Sequence, residues 1–215
     1  MNWLAHLYLS PPHVEVRLGS VIADWVKGGD RAHFDHNFQI GFVLHQKVDL
    51  FTDQHDVVKR SQARIRPPFM RFAGVLVDVF YDHFLARDWA KHTTNEQTTS
   101  TTLHQFTQTL YAQFAQYPHP LNERIRTALN YMASDDWLGS YAHINGIEEI
   151  LKRMSRRLFS RTNRANLLGA AIGELTHNYA ALDDDFCDFW PQLQAYVNAQ
   201  IAIVESQGYH SHIDS

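Results

Sequence analysis

Residues that break helices are scarce in this sequence. Ten glycines and seven prolines are spread over 215 residues, fewer than the many turns of an all-β sandwich of this size require. Cysteine occurs once, at Cys187, which excludes an intrachain disulfide and a thiolate zinc site. That usage suits a reducing compartment. No run approaches the roughly 20 apolar residues that span a bilayer. Residues 1–10 lack a basic start and are too short for the apolar stretch of a secretory leader. The expectation is a cytoplasmic protein without a membrane partner. The net charge of −4 gives no general basic field, so nucleic acid is not expected either. The Walker loop, G-x-S-x-G and G-x-G-x-x-G are all missing.

What is present reads as helix. Hydrophobic residues make up 45%, an ordinary globular share. The spacing predicts helices over 18–27, stopped by Gly28-Gly29, over 36–54 and over about 56–65. Pro67-Pro68 then breaks the chain. Residues 69–89 are apolar on all sides, the pattern of a buried central helix. A polar loop follows at 93–102, then helices from Leu103, over 121–133, 147–160, 165–181 and 186–206, with 137–146 as a connection. No repeat or strand alternation interrupts this order. The expected fold is all-α, a single-domain helical bundle over 1–215.

Acids and histidines fall inside the apolar helices. The central one holds Asp78, Asp82 and His83. Asp78 and Asp82 are four apart and share a side, where two carboxylates repel. Burying them requires a partner, either a bound cation or an Arg or Lys from another helix. The helix over 36–54 holds His45, Asp49 and Asp53 at i, i+4 and i+8. Imidazole and carboxylate at that spacing can serve one metal, or form a solvated polar stripe. Asp24 and His6 sit among apolar neighbours, where a lone acid at the surface and a satisfied core histidine are the ordinary readings. Taken together, these segments make a mixed His/Asp donor set suited to Mn²⁺, Fe²⁺, Mg²⁺ or Zn²⁺. Glu174 and His177 form one Glu-x-x-His unit, and a di-iron bundle needs two.

These residues resemble the acyl carrier protein phosphodiesterases, a family placed as a distant relative of the HD-domain phosphohydrolases. The resemblance is carried by Met1-Asn2-Trp3-Leu4-Ala5-His6, by Gly19 and by Ala23-Asp24-Trp25-Val26-Lys27-Gly28. His45, Asp49, Thr52-Asp53, Asp78 and Asp82-His83-Phe84-Leu85 continue it, as do Met154-Ser155-Arg156-Arg157, Tyr179-x-x-Leu182 and Phe189-Trp190-Pro191. The pair runs Asp82-His83, the reverse of the superfamily's His-Asp, and Lys47 stands where an Arg is expected.

The resemblance implies an HD-domain-like fold and hydrolysis of the phosphodiester between 4′-phosphopantetheine and the serine of holo-acyl carrier protein. It implies a divalent metal, Mn²⁺ first, with Mg²⁺ or Fe²⁺ as substitutes. His45, Asp82 and His83 are the implied ligands, with Asp24 and His6 as further ligands. Asp49, Asp53 and Asp78 would orient ligands or deprotonate water, and Asp24 belongs with the catalytic acids. The acidic carrier protein would meet two segments that lack acids, 59–71 and 150–164. Lys47, Arg64, Arg71, Arg156 and Arg157 are the expected contacts to it or to the phosphate. Two rival readings keep part of this pattern: an HD-type phosphohydrolase acting on a nucleotide or other small phosphoester, and a helical module that binds carrier protein without cleaving it.

Overall fold

A computed structural model describes residues 1–26, 28–93, 101–159 and 167–210. Lys27, Arg161, Arg164 and most of the polar 93–102 segment lie outside the described residues. The architecture is all-α, with no strand among the described residues. The helices run α1 (Trp3–Leu9), α2 (Val14–Ile22), α3 (Gly28–Arg31), α4 (His36–Gln54), α5 (Asp56–Ala63), α6 (Ala73–Arg87), α7 (Trp89–Thr93) and α8 (Leu103–Ala115). They continue with α9 (Glu123–Ser134), α10 (Trp137–Ser140), α11 (Ile144–Phe159), α12 (Ile172–His177) and α13 (Tyr179–His210). Short 3₁₀ turns precede α6 at Met70–Phe72 and α12 at Leu168–Ala171.

The core follows from apolar placement. Helix α6 is the axis: Leu76, Val77, Val79, Phe80, Tyr81, Phe84 and Leu85 are all fully buried. Packed around it are Leu4 and Leu7 of α1, Leu18 and Ile22 of α2, and Phe186, Phe189 and Trp190 of α13. The predicted buried central helix is therefore present. It is cut shorter than 69–89, because a 3₁₀ turn enters it and Asp88 separates it from α7.

Two helices cross at backbone contact. A Cβ on Gly41 of α4 would lie 2.2 Å from the carbonyl oxygen of Val16, and one on Gly19 of α2 would lie 2.4 Å from that of Phe38. Only glycine at both positions lets α2 and α4 approach this closely. The crossing sets the end of α2 beside His45, one turn beyond Gly41.

The structure moves some predicted boundaries. The 18–27 helix begins at Val14 and ends at Ile22. A side chain holds the turn that follows it: Arg31 donates Nη2 to the Ala23 carbonyl at 2.6 Å and Nε to that of Val26 at 3.4 Å. Gly28 opens α3 instead of stopping α2. The 137–146 connection contains α10, which is capped by Asp136 at φ 43. The 165–181 helix is broken at Asn178, whose side chain donates to the Glu174 carbonyl at 3.0 Å.

Candidate metal centre

Four elements bring the site together. Helix α1 contributes His6, the turn after α2 contributes Asp24, α4 contributes His45 and Asp49, and α6 contributes Asp78. Along α4 the i, i+4 spacing sets His45 Nε2 3.2 Å from Asp49 Oδ2. The other oxygen of Asp49 meets His6 Nε2 at 3.1 Å. The two imidazoles stack with centroids 4.0 Å apart and planes 21° from parallel. Asp24 Oδ1 approaches His45 Nε2 at 3.3 Å. One ligand atom from each of His6, His45 and Asp49 lies within 4.8 Å of the other two, a group able to hold a metal ion.

Electrostatics agree with one positive charge at this point. Burial opposes protonation of His45, but the hydrogen bonds to Asp24 and Asp49 outweigh it and raise its pKa to about 9. Burial and the neighbouring His45 hold His6 below the usual histidine value. Burial would raise Asp49, yet its bonds to His45 and His6 keep it well below the usual carboxylate range. Asp24 is lowered, first by its bond to His45. A single proton on His45 thus occupies the electrostatic position that a cation would take.

The donor set fits a divalent cation. Both rings aim Nε2 at shared carboxylate oxygens, while Nδ1 of His6 and of His45 is buried with no partner among the described residues. No far-side bond holds either ring to another role. Two imidazoles and two carboxylates suit Mn²⁺, Fe²⁺ or Zn²⁺.

The site opens into a cavity of about 690 Å³. Its acidic wall carries Asp24, Asp49, Asp53 and Asp78. The rest of its lining is mostly apolar, with Trp3, Val75, Trp137, Tyr141, Ile150, Met154 and Leu158, and includes Arg153 and Arg157. Burial and the nearby Asp78 raise the pKa of Asp53. The amino nitrogen of Met1 donates to Asp78 Oδ1 at 2.9 Å. Arg153 packs on the Trp137 ring at 5.2 Å and reaches Asp135 at 3.2 Å.

Other sequence-predicted residues do not join this group. Asp82 is fully buried and turned toward α1. Its Oδ1 accepts the Asn2 N–H at 3.2 Å, and Oδ2 accepts those of Leu4 at 2.8 Å and Ala5 at 3.4 Å. Both oxygens are thus spent on the first turn of α1. Burial pushes this carboxyl up to about 7, against the pull of the Met1 amino group and those N–H donors. His83 is saturated as well. Nδ1 donates to the Tyr141 carbonyl at 2.8 Å, which leaves Nε2 to accept from the Tyr179 hydroxyl at 2.8 Å. The partners of Asp78 and Asp82 are therefore an amino group and three backbone amides, and among the described residues no Arg or Lys bonds to either.

Among the basic residues, Lys47 donates to Gln200 at 2.7 Å, and Arg64 is tied to the buried Asp185 at 3.1 Å. Arg71 lies over the Phe72 ring at 4.7 Å. Arg156 and Arg157 are exposed at the end of α11, and Arg157 lines the cavity. Acids of α12 and α13 neutralise much of the 59–71 segment, through Arg60–Asp185, Arg60–Asp188 and Arg66–Glu174. Glu174 is committed to Arg66, which removes it from a di-iron pattern.

Sequence reasoning missed the aromatic wall. Trp3 and Trp137 stack at 5.5 Å with planes 11° apart. Trp137 sits in a segment that reads as a connection, and no spacing relates it to Trp3. Among the described residues no helix is long and apolar enough to cross a membrane.

Comparison with known proteins places this geometry in context. A family model described as acyl carrier protein phosphodiesterase matches residues 1–193. The acyl carrier protein phosphodiesterase of Serratia proteamaculans is 32% identical over 195 residues, covering 90% of this chain and 95% of the relative. That of Yersinia pestis is 30% identical over 193 residues, with the same coverage. No solved structure matches the chain.

Proposed function

The chain belongs to the acyl carrier protein phosphodiesterase family, and from that premise we propose that it is a divalent-metal-dependent hydrolase acting on holo-acyl carrier protein. In this reading it cleaves the phosphodiester between 4′-phosphopantetheine and the carrier serine. The products are apo-carrier protein and 4′-phosphopantetheine. The observation that supports it most is the His6–Asp49–His45 group in the lining of a cavity of about 690 Å³.

His6, His45 and Asp49 would hold the cation, with Asp24 as the fourth donor. A divalent ion there, Mn²⁺ in our reading, supplies Lewis-acid charge at the phosphodiester and lowers the pKa of water. Asp24 is the half-open carboxylate of the group, with a side chain 60% exposed. Its second oxygen would take the proton from an attacking water. Asp78, fixed by its bond to the Met1 amino nitrogen, carries the negative wall that orients this water. Arg157 in the cavity lining would meet the phosphate oxygens or the acidic partner, and Arg156 beside it would meet the partner alone. Asp82 and His83 act by position: Asp82 seats the helix that carries His6, and His83 holds the backbone of Tyr141, whose residue lines the cavity.

Mass spectrometry of holo-carrier protein incubated with the enzyme tests the reading. Loss of the phosphopantetheine mass is expected with Mn²⁺ and not with EDTA. An unchanged mass, with the enzyme folded and several divalent ions tried, would overturn the substrate assignment.

The site also predicts a pH dependence of metal binding. A cation entering beside His45 must displace its proton, which is held up to about pH 9. Mn²⁺ affinity is expected to rise about tenfold per pH unit below that value, with about one proton released per ion. Calorimetry in buffers of different ionisation enthalpy reads both. An affinity that ignores pH would place the ion away from His45.

A further inference from the structure

Trp3, Trp137 and Arg157 line the metal cavity, and the same three side chains line a second groove of about 600 Å³. None of His6, Asp24, His45 and Asp49 lines this groove, so it lies beyond the metal centre. Trp25 meets Trp3 edge-on at 5.7 Å and forms the next part of the groove wall. Phe34, Ile125 and Ala128 add apolar surface, and His33 and Arg124 stand exposed at its edge.

The substrate in the proposed reading has two long parts joined at phosphorus. One is the carrier serine with its flanking backbone, which must enter the metal cavity from solvent. The other is an amide chain ending in a thiol, about 15 Å when extended at ~3.3–3.6 Å per backbone-like unit. Both cannot use the same exit. The groove shares Trp3, Trp137 and Arg157 with the metal cavity and so adjoins it, which puts it within reach of the arm. Its chemistry matches: amide planes stack on indole faces, and an apolar pocket takes the sulfur end.

We propose that the groove beyond the Trp3–Trp137 pair holds the distal, thiol-bearing half of the pantetheine arm. This makes Trp25, Phe34, Ile125 and Ala128 the residues that read the arm, while the metal centre reads only the phosphodiester. The inference rests on the carrier-protein reading of the metal centre.

Filling the groove separates the two. Ala128→Trp blocks it from the half-buried side and His33→Trp from the exposed edge. The measurement is kcat/KM with Mn²⁺ on two carrier proteins, one with the full arm and one whose arm stops after the pantoyl amide. Each variant is expected to lose about tenfold or more on the full arm, and to match the wild type on the short arm. If Ala128→Trp fails to fold, His33→Trp, on the surface, carries the test alone. Wild-type rates on the full arm in a folded variant would overturn the inference and leave the substrate reading standing. Equal losses on both arms would also overturn it, by assigning the groove to the body of the carrier protein. Cleavage of neither carrier protein by the wild type would overturn the substrate reading, and this inference with it.

Discussion

Asp49→Ala is expected to abolish Mn²⁺ binding and turnover together while leaving the helical fold in place. Asp49 bonds to both imidazoles, at 3.1 Å to His6 and 3.2 Å to His45. Without it, two stacked rings 4.0 Å apart share no carboxylate, and His45 loses one of the two bonds that raise its pKa. The loss in Mn²⁺ affinity should exceed the roughly 100-fold that follows when an outer partner of a ligand is removed. Turnover of holo-carrier protein should fall at least as far. Stability should fall moderately, because the buried His6 and His45, 2% and 5% exposed, each lose a carboxylate partner. His83→Ala is the contrast: both ring nitrogens are already bonded to Tyr141 and Tyr179, so Mn²⁺ affinity should persist. Isothermal titration of the two variants decides the matter. Retained binding in Asp49→Ala together with lost binding in His83→Ala would move the centre to α6.

How much of this was legible beforehand depends on which contacts are local. Helix α4 has the predicted bounds 36–54 because its start and stop lie in its own sequence, and the His45–Asp49 pair follows from i, i+4 geometry alone. The all-α architecture follows from the scarcity of glycine and proline. Helix α1 was not legible. It has seven residues, fewer than an isolated helix needs, and a carboxylate from α6 holds its first turn. Because α1 was missed, the local sequence alone offered His6 as a core histidine, and only the family resemblance set it with His45, on which it stacks. The partners of the Asp82-His83 pair were not legible, because they come from segments distant in sequence. Asp82 faces α1, and His83 faces the Tyr141 backbone and Tyr179. The basic segments read as free patches because their acidic partners, Glu174, Asp185 and Asp188, lie more than a hundred residues away in sequence.

Asp82→Leu is expected to destabilise the metal-free protein by about 3 kcal/mol or more, since it leaves buried amide donors of α1 without an acceptor at roughly 1–3 kcal/mol each. For a chain of this length that lowers the melting midpoint by about 6–12 °C. The sign separates two roles for this residue. Removing a metal ligand takes away a buried, repelling carboxylate, and the metal-free protein should then melt at the same temperature or higher. Removing the anchor of α1 lowers the midpoint whether metal is present or not. Turnover should also fall, because α1 carries both His6 and Trp3, and both line the cavity. Hydrogen exchange adds a local readout. The Leu4 and Ala5 amides, protected by the Asp82 carboxylate at 2.8 and 3.4 Å, should exchange faster in the variant while amides in the middle of α4 keep their protection. A metal-free midpoint that rises in Asp82→Leu would return Asp82 to the ligand set. A fall in midpoint with early exchange in α1 makes the buried carboxylate of α6 the strut that brings His6 to the metal centre.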